Sequence, residues 1–161
     1  MKWVRISWLP AVIMMGIIFY FSSRPAVNSD ESSMQFANII LKGYENFTNT
    51  QLQEEERIET LGYIDHIVRK GAHFFEYGIL ACAIAFHFWL KNKKGIRLFL
   101  LSVALTAMYA ATDEFHQLFI TGRSGEIRDV LLDSSGAAAG AFLFCLITTL
   151  IRRKRTPVKA K

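Results

Sequence analysis

Hydrophobic positions fall into four long blocks with polar stretches between them. Trp3–Phe21, Ala72–Leu90, Leu98–Phe119 and Val130–Ile151 are each close to the ~20 residues that carry a helix across the hydrocarbon core of a bilayer. The pattern predicts an all-α polytopic membrane protein: one domain over 1–161, a bundle of four transmembrane helices, an outer segment over 22–71 and a tail over 152–161. The first block, preceded by Lys2 and Arg5, also fits the front of a secretory signal. The residues at its end, "FSSRPAV", contain no small-x-small cleavage pattern and set Pro25 close by, so a retained helix is expected.

The outer segment is too long for a plain turn. "SDESSMQFANIILKGYENF" opens with Ser29, Asp30 and Glu31 as a helix start and spaces Met34, Ala37, Leu41 and Tyr44 along one face. That face suits a short amphipathic helix on the outer membrane surface or one packed over the mouth of the bundle. The next stretch, "TQLQEEERIETLGYIDHIVRK", turns steadily more apolar and feeds into the second span.

Charge adds an orientation. Lys2, Arg5, Lys91, Lys93, Lys94, Arg97, Arg152, Arg153, Lys154, Arg155, Lys159 and Lys161 cluster at both termini and in the second polar turn, with no acid among them. All fourteen acids lie in the remainder of the chain. By the positive-inside rule both termini are cytoplasmic, and Arg24–Lys70 and Thr121–Arg128 face outward, as a multi-pass protein of the cell membrane in contact with lipid. The net charge of +5 is thus a topology signal and carries no nucleic-acid patch. Nothing in the pattern specifies an oligomeric state. Trp3, Trp8 and Trp89 fit interfacial belts, His66 falls just outside the membrane, and His87, Cys82 and Cys145 read as packing residues.

Against this apolar background, polar residues inside the spans stand out. An ionisable group in hydrocarbon costs ~2.5–3.5 kcal/mol on the insertion scale, so each needs a partner or a function. At 1.5 Å per residue, Glu76 lies ~10 Å inward of Arg69, Asp113 ~9 Å from Phe119 and Asp133 ~7.5 Å past Arg128, which sets the three carboxylates in one layer. Arg69, His73, Glu76, Tyr77 and Leu80 share one helical stripe. Tyr109, Asp113, His116 and Gln117 share another, with Glu114 beside them, and Asp129, Asp133, Gly136 and Gly140 share a third. "GAAAG" lets a neighbouring backbone come close below the two aspartates. Arg69, Lys70 and Arg123, the last in the "TGRSGEIRD" turn, can supply the countercharge in an outward-facing pocket.

Three chemistries suit that set. Glu76, Asp113, Glu114, Asp129 and Asp133 against Arg69, Lys70, Arg123 and Arg128 can form an ion network that fixes helix register. His73, Glu76, Asp113, His116 and Asp133 offer a mixed nitrogen and oxygen set suited to zinc or a harder divalent cation, the one cofactor the residues suggest. Crowded carboxylates beside histidines also suit general acid–base catalysis, with those same five residues in catalytic roles. Ser124, Ser134 and Ser135 sit in no nucleophile-elbow pattern. A transporter is a weaker fit, since no pair of broken helices is visible.

"FSSRP", "VRKGAHFFEYGIL" and "YAATDEFHQLFITGRSGEIRDVLLDSSGAAAG" together resemble the VanZ family of bacterial membrane proteins, in the family's order and over most of the chain. The resemblance places the family's recurrent polar positions on Arg69, Lys70, His73, Glu76, Tyr77, Asp113, Glu114, His116, Gln117, Arg123, Asp129 and Asp133. Arg24 stands where Gln is usual and Thr121 where Pro is common, both at the rim. The resemblance implies a role at the cell envelope, with lowered susceptibility to teicoplanin-type glycopeptides. Combined with the polar layer, it leads to an expected lipid-linked or cell-wall-related ligand that the pocket binds and could modify.

Overall fold

The computed structural model describes residue 4, residues 6–123 and residues 125–155, with backbone alone described for 26–32 and 153–155. Lys2, Trp3, Arg5, Ser124, Lys159 and Lys161 lie outside the described residues. So do the side chains of Ser29, Asp30 and Glu31. Among the described residues the chain is all-α, 84% helical, in five helices: α1 Leu9–Ser22, α2 Ala26–Thr48, α3 Glu54–Leu90, α4 Gly95–Gln117 and α5 Ile127–Arg155.

Among the described residues three helices, α3, α4 and α5, are long and apolar enough to cross a membrane. The first block is different. α1 has only 14 residues, or ~21 Å, and starts next to Pro10, whose missing N–H suits the first helical turn. A fourth span is therefore not established by length. The surface of the bundle is inverted relative to a soluble protein: Ile13, Ile17, Phe86, Leu100, Met108, Phe142, Leu146 and Leu150 are exposed, while Asp113, Glu114, Gln117 and Asp133 are buried.

The outer segment departs most from expectation. α2 is 23 residues long and begins at Ala26, directly after extended Pro25, earlier than Ser29. α3 runs unbroken for 37 residues, ~55 Å, so its first half projects beyond the length a bilayer core requires. α2 lies back along that half, forming a helical hairpin with its own core of Ala37, Leu41 and Leu61, packed by Leu52 and Ile64. Of the four residues expected on the packed face, Ala37 and Leu41 are buried and Met34 and Tyr44 are exposed, because contact with α3 centres on the Ser33, Ala37, Leu41 row at i+4 spacing. Arg57 Nη2 donates to Asn38 Oδ1 at 3.1 Å and its Nε lies 3.7 Å from Glu45, tying the hairpin on its polar side. Asn49, left-handed at φ 53°, ends α2 with its N–H bonded to the Glu45 carbonyl.

Within the bundle α3 is central. Tyr77, Leu80 and Ile84 pack with Ala11 and Ile18 of α1 and Ala110 of α4, and Ala81 packs with Ala137 and Ala141 of α5. The α3–α5 crossing is backbone on backbone. A Cβ built on Gly136 would run into the Phe74 carbonyl, one on Gly140 into the Gly78 carbonyl, and one on Gly78 would lie 3.2 Å from the Gly136 oxygen. The small-residue row thus works as its spacing suggested. Cys82 fits the same seam, its Sγ donating to the Gly140 carbonyl at 3.2 Å.

At the other end of α3, His87 is buried, stacked on Trp8 with ring centroids 4.0 Å apart. Ser7 Oγ gives its one proton to the Val4 carbonyl at 2.7 Å, so the 2.7 Å contact with His87 Nδ1 has the imidazole as donor. The contact ties the far end of α3 to the residues before α1, in a packing role.

Gly140→Ala is expected to lower the unfolding free energy in detergent by about 1–3 kcal/mol by prising α3 from α5. Gly16→Ala, where a Cβ meets nothing within 4 Å, is expected to leave it unchanged or slightly raised. Denaturant titration followed by tryptophan fluorescence checks both, and equal stability of the two variants contradicts the close-packing account.

Candidate functional site

The expected polar layer forms around Asp113. α4 buries this residue to 3% exposure, and its Oδ2 accepts from Ser22 Oγ of α1 at 2.7 Å, Tyr77 Oη of α3 at 3.0 Å and Gln117 Nε2 one turn on at 3.3 Å. One carboxylate oxygen therefore joins three helices. Tyr109 adds a second tie from α4 to α1, its hydroxyl donating to the Met15 carbonyl at 2.6 Å. His116 supplies a third. It stacks on Phe19 at 4.7 Å and lies 3.2 Å from Ser23 Oγ, whose proton goes to the Phe19 carbonyl, which makes His116 Nε2 the donor.

Glu114, also buried, accepts the backbone N–H of Glu126 at 2.6 Å, pinning the turn between α4 and α5. On α5, Asp129 pairs with Lys70 of α3. Asp133, 2% exposed, faces His73 of α3 with Nδ1 and Oδ1 3.9 Å apart. Asp113 Oδ1 and Asp133 Oδ1 are buried with no hydrogen-bond partner among the described residues. Oxygens of that kind in a low-dielectric layer draw in any donor that can reach them.

The expected countercharges act differently from the sequence reading. Arg69 lies 3.5 Å from Asp65, one turn earlier on its own helix. Arg123 reaches across to α1, its Nε donating to the Arg24 carbonyl and its Nη2 to the Phe21 carbonyl, both at 3.1 Å. These carbonyls lie at the end of α1, so the guanidinium caps a helix C-terminus. Asp113 Oδ2 is met by neutral hydroxyl and amide donors and Glu114 by a backbone N–H, and within this layer Lys70 and Asp129 form a direct cross-helix pair of cation and carboxylate.

The metal set does not assemble. Asp113 is turned to Ser22 and Tyr77, His116 to Ser23 and Phe19, and His73 to Asp133. Among the described residues no three His, Cys, Asp or Glu side chains converge to hold an ion. The i, i+3 spacings of "HFFE" and "DEFH" put donors on adjacent faces, but the helices rotate those faces toward different neighbours.

Beside this layer lies a cavity of about 720 Å³. Its walls are Phe21 and Ser22 of α1, Ser33, Phe36 and Ile40 of α2, and Val68, Arg69, Gly71, Ala72, His73, Phe75 and Glu76 of α3, with Arg123 from the turn. Of the candidate residues, Arg69, His73, Glu76 and Arg123 line it. Lys70, Tyr77, Asp113, Glu114, His116, Gln117, Asp129 and Asp133 are not among its lining residues and form the supporting network beside it. Ser22, Ser23, Ser33 and Asp65 were absent from the sequence reading of the site. The first two sit in "FSSRP", where a pair of hydroxyls at an apolar helix end was the available signal.

Three helices long and apolar enough to cross a membrane, a carboxylate-centred polar layer and an apolar-walled cavity beside it define, among the described residues, a helical membrane-protein class of fold. Residues 7–148 match the family model described as VanZ/LLP1, and the chain belongs to that family. Membership supports, at the level of the family, a membrane protein related to teicoplanin resistance. Comparison with curated proteins and with solved structures gives no match.

Ser22→Ala and Tyr77→Phe each remove a donor from a buried carboxylate and are expected to cost about 1–3 kcal/mol of stability. In an Asp113→Asn background the cost of either is expected to shrink, giving a non-additive double-mutant cycle by denaturant titration. Additive losses would mean that Asp113 is not the shared acceptor.

Proposed function

We propose that the cavity binds an amphiphilic, lipid-linked or cell-wall-related ligand at the outer face of the cell membrane, and that this binding underlies an effect on teicoplanin-type glycopeptides. The carrying observation is the cavity itself: about 720 Å³ with walls from Phe36, Ile40, Val68 and Phe75 and two guanidinium groups, Arg69 and Arg123, at its lining. Apolar walls with a few placed charges suit a ligand with a hydrocarbon part and an anionic head. The proposed setting is a four-span protein with α1 as the first span and both termini cytoplasmic, so that the α2–α3 hairpin and the Arg123 turn face outward. The distribution of lysine and arginine supports it.

One observation favours acid–base chemistry on the bound ligand as a second reading. His73 lines the cavity while its Nδ1 faces buried Asp133, an arrangement that orients an imidazole for proton transfer.

Loss of the protein is expected to change teicoplanin susceptibility, and an Arg69→Gln, Arg123→Gln double variant present at normal membrane levels is expected to behave like the deletion. Full activity of that variant in a susceptibility assay would remove the cavity from the mechanism. Gln51→Cys is expected to react with a membrane-impermeant maleimide on intact cells and Asn92→Cys only after lysis. The opposite labelling pattern would reverse the topology.

A further inference from the structure

We propose that the cavity is built for a zwitterionic head group, with an anionic group held by Arg123 and Arg69 and a primary ammonium held by Glu76. The inference rests on the binding reading above and specifies the head-group chemistry of its ligand. Glu76 lines the cavity from α3, one turn below His73 and on the same face as Arg69. Arg123 and Asp113 are the charges that act on it through space, yet Glu76 makes no hydrogen bond or contact ion pair among the described residues.

Donors that could have served Glu76 are committed elsewhere. Ser22 and Tyr77 give their hydroxyl protons to Asp113. Arg123 donates to the carbonyls of Arg24 and Phe21, and Arg69 pairs with Asp65. A carboxylate on a mostly apolar wall is thereby left to be satisfied from inside the cavity.

The geometry is that of two opposite charges across a gap. Arg123 and Glu76 line one cavity and attract each other without touching. A molecule with its own separated charges closes that gap with each end against its complement, and a purely anionic head would leave Glu76 unpaired and repelling it. A primary ammonium does this better than a quaternary one, because it supplies N–H donors as well as charge. Phe36, Ile40, Val68 and Phe75 provide the surface for the attached hydrocarbon chain. The matching class is a phosphoethanolamine-type amphiphile.

The experiment compares hexadecyl phosphate with hexadecyl phosphoethanolamine, titrated into the purified full-length protein and followed by native mass spectrometry. Wild type is expected to hold the ethanolamine head about tenfold tighter, the scale of one added charge-assisted hydrogen bond. Glu76→Gln is expected to erase that preference while leaving hexadecyl phosphate binding equal or stronger, and Glu76→Asp to retain part of it. Equal wild-type affinity for the two heads, with Arg69→Gln, Arg123→Gln weakening both, would overturn the zwitterion proposal and leave the cavity reading standing. If neither amphiphile binds wild type, both readings are overturned. The wild-type comparison decides even if a Glu76 variant fails to fold.

Discussion

A carboxylate inside an apolar bundle requires donors, and bringing those donors together determines how the helices meet. Asp113 draws Ser22 from α1, Tyr77 from α3 and Gln117 from its own helix onto a single oxygen. Its geometry constrains all three helices at once, because an unmet buried acceptor forfeits more than an ordinary contact gains. α1, too short on its own to make an extensive interface, is positioned by this bond, by the Tyr109 tie to Met15 and by the Arg123 cap on its last turn. The cavity wall formed by Phe21 and Ser22 results from that placement.

α5 is joined to α3 by different physics. Where glycine carbonyls and Cα atoms meet, the two backbones approach closely, and dispersion together with weak Cα–H···O contacts replaces side-chain packing. Close approach brings Asp129 and Asp133 against Lys70 and His73. The seam and the polar layer are therefore coupled: widening one would separate the charges of the other.

Much of this was legible in the sequence, and what was not has identifiable causes. Apolar block length located α3, α4 and α5 because the bilayer imposes that length, and the Gly136, Gly140 row was readable because steric access depends only on side-chain size. Membership of the VanZ/LLP1 family agrees with the motif order in the chain. The outer hairpin was underestimated: its helices are stabilised by pairing with each other, and that pairing leaves only the short row Ser33, Ala37, Leu41 as a pattern. Partner assignment failed where rotation about a helix axis decides it. Arg69 can face the cavity while binding Asp65 at i−4, and Arg123 found peptide carbonyls, which a sequence does not display as acceptors. Helical spacing places side chains on a face but not against a particular neighbour, and among the described residues no three of the expected metal ligands converge.

An unbroken helix has no hinge. α3 carries the outer hairpin on its first half, the cavity residues Arg69, His73 and Glu76 near its middle and the Trp8–His87 stack near its far end, all on one rod from Glu54 to Leu90. Because the helix is continuous, the hairpin, the cavity residues and the stack keep one rotational register about its axis, so a change of partner at either end is felt as a change of facing at the cavity.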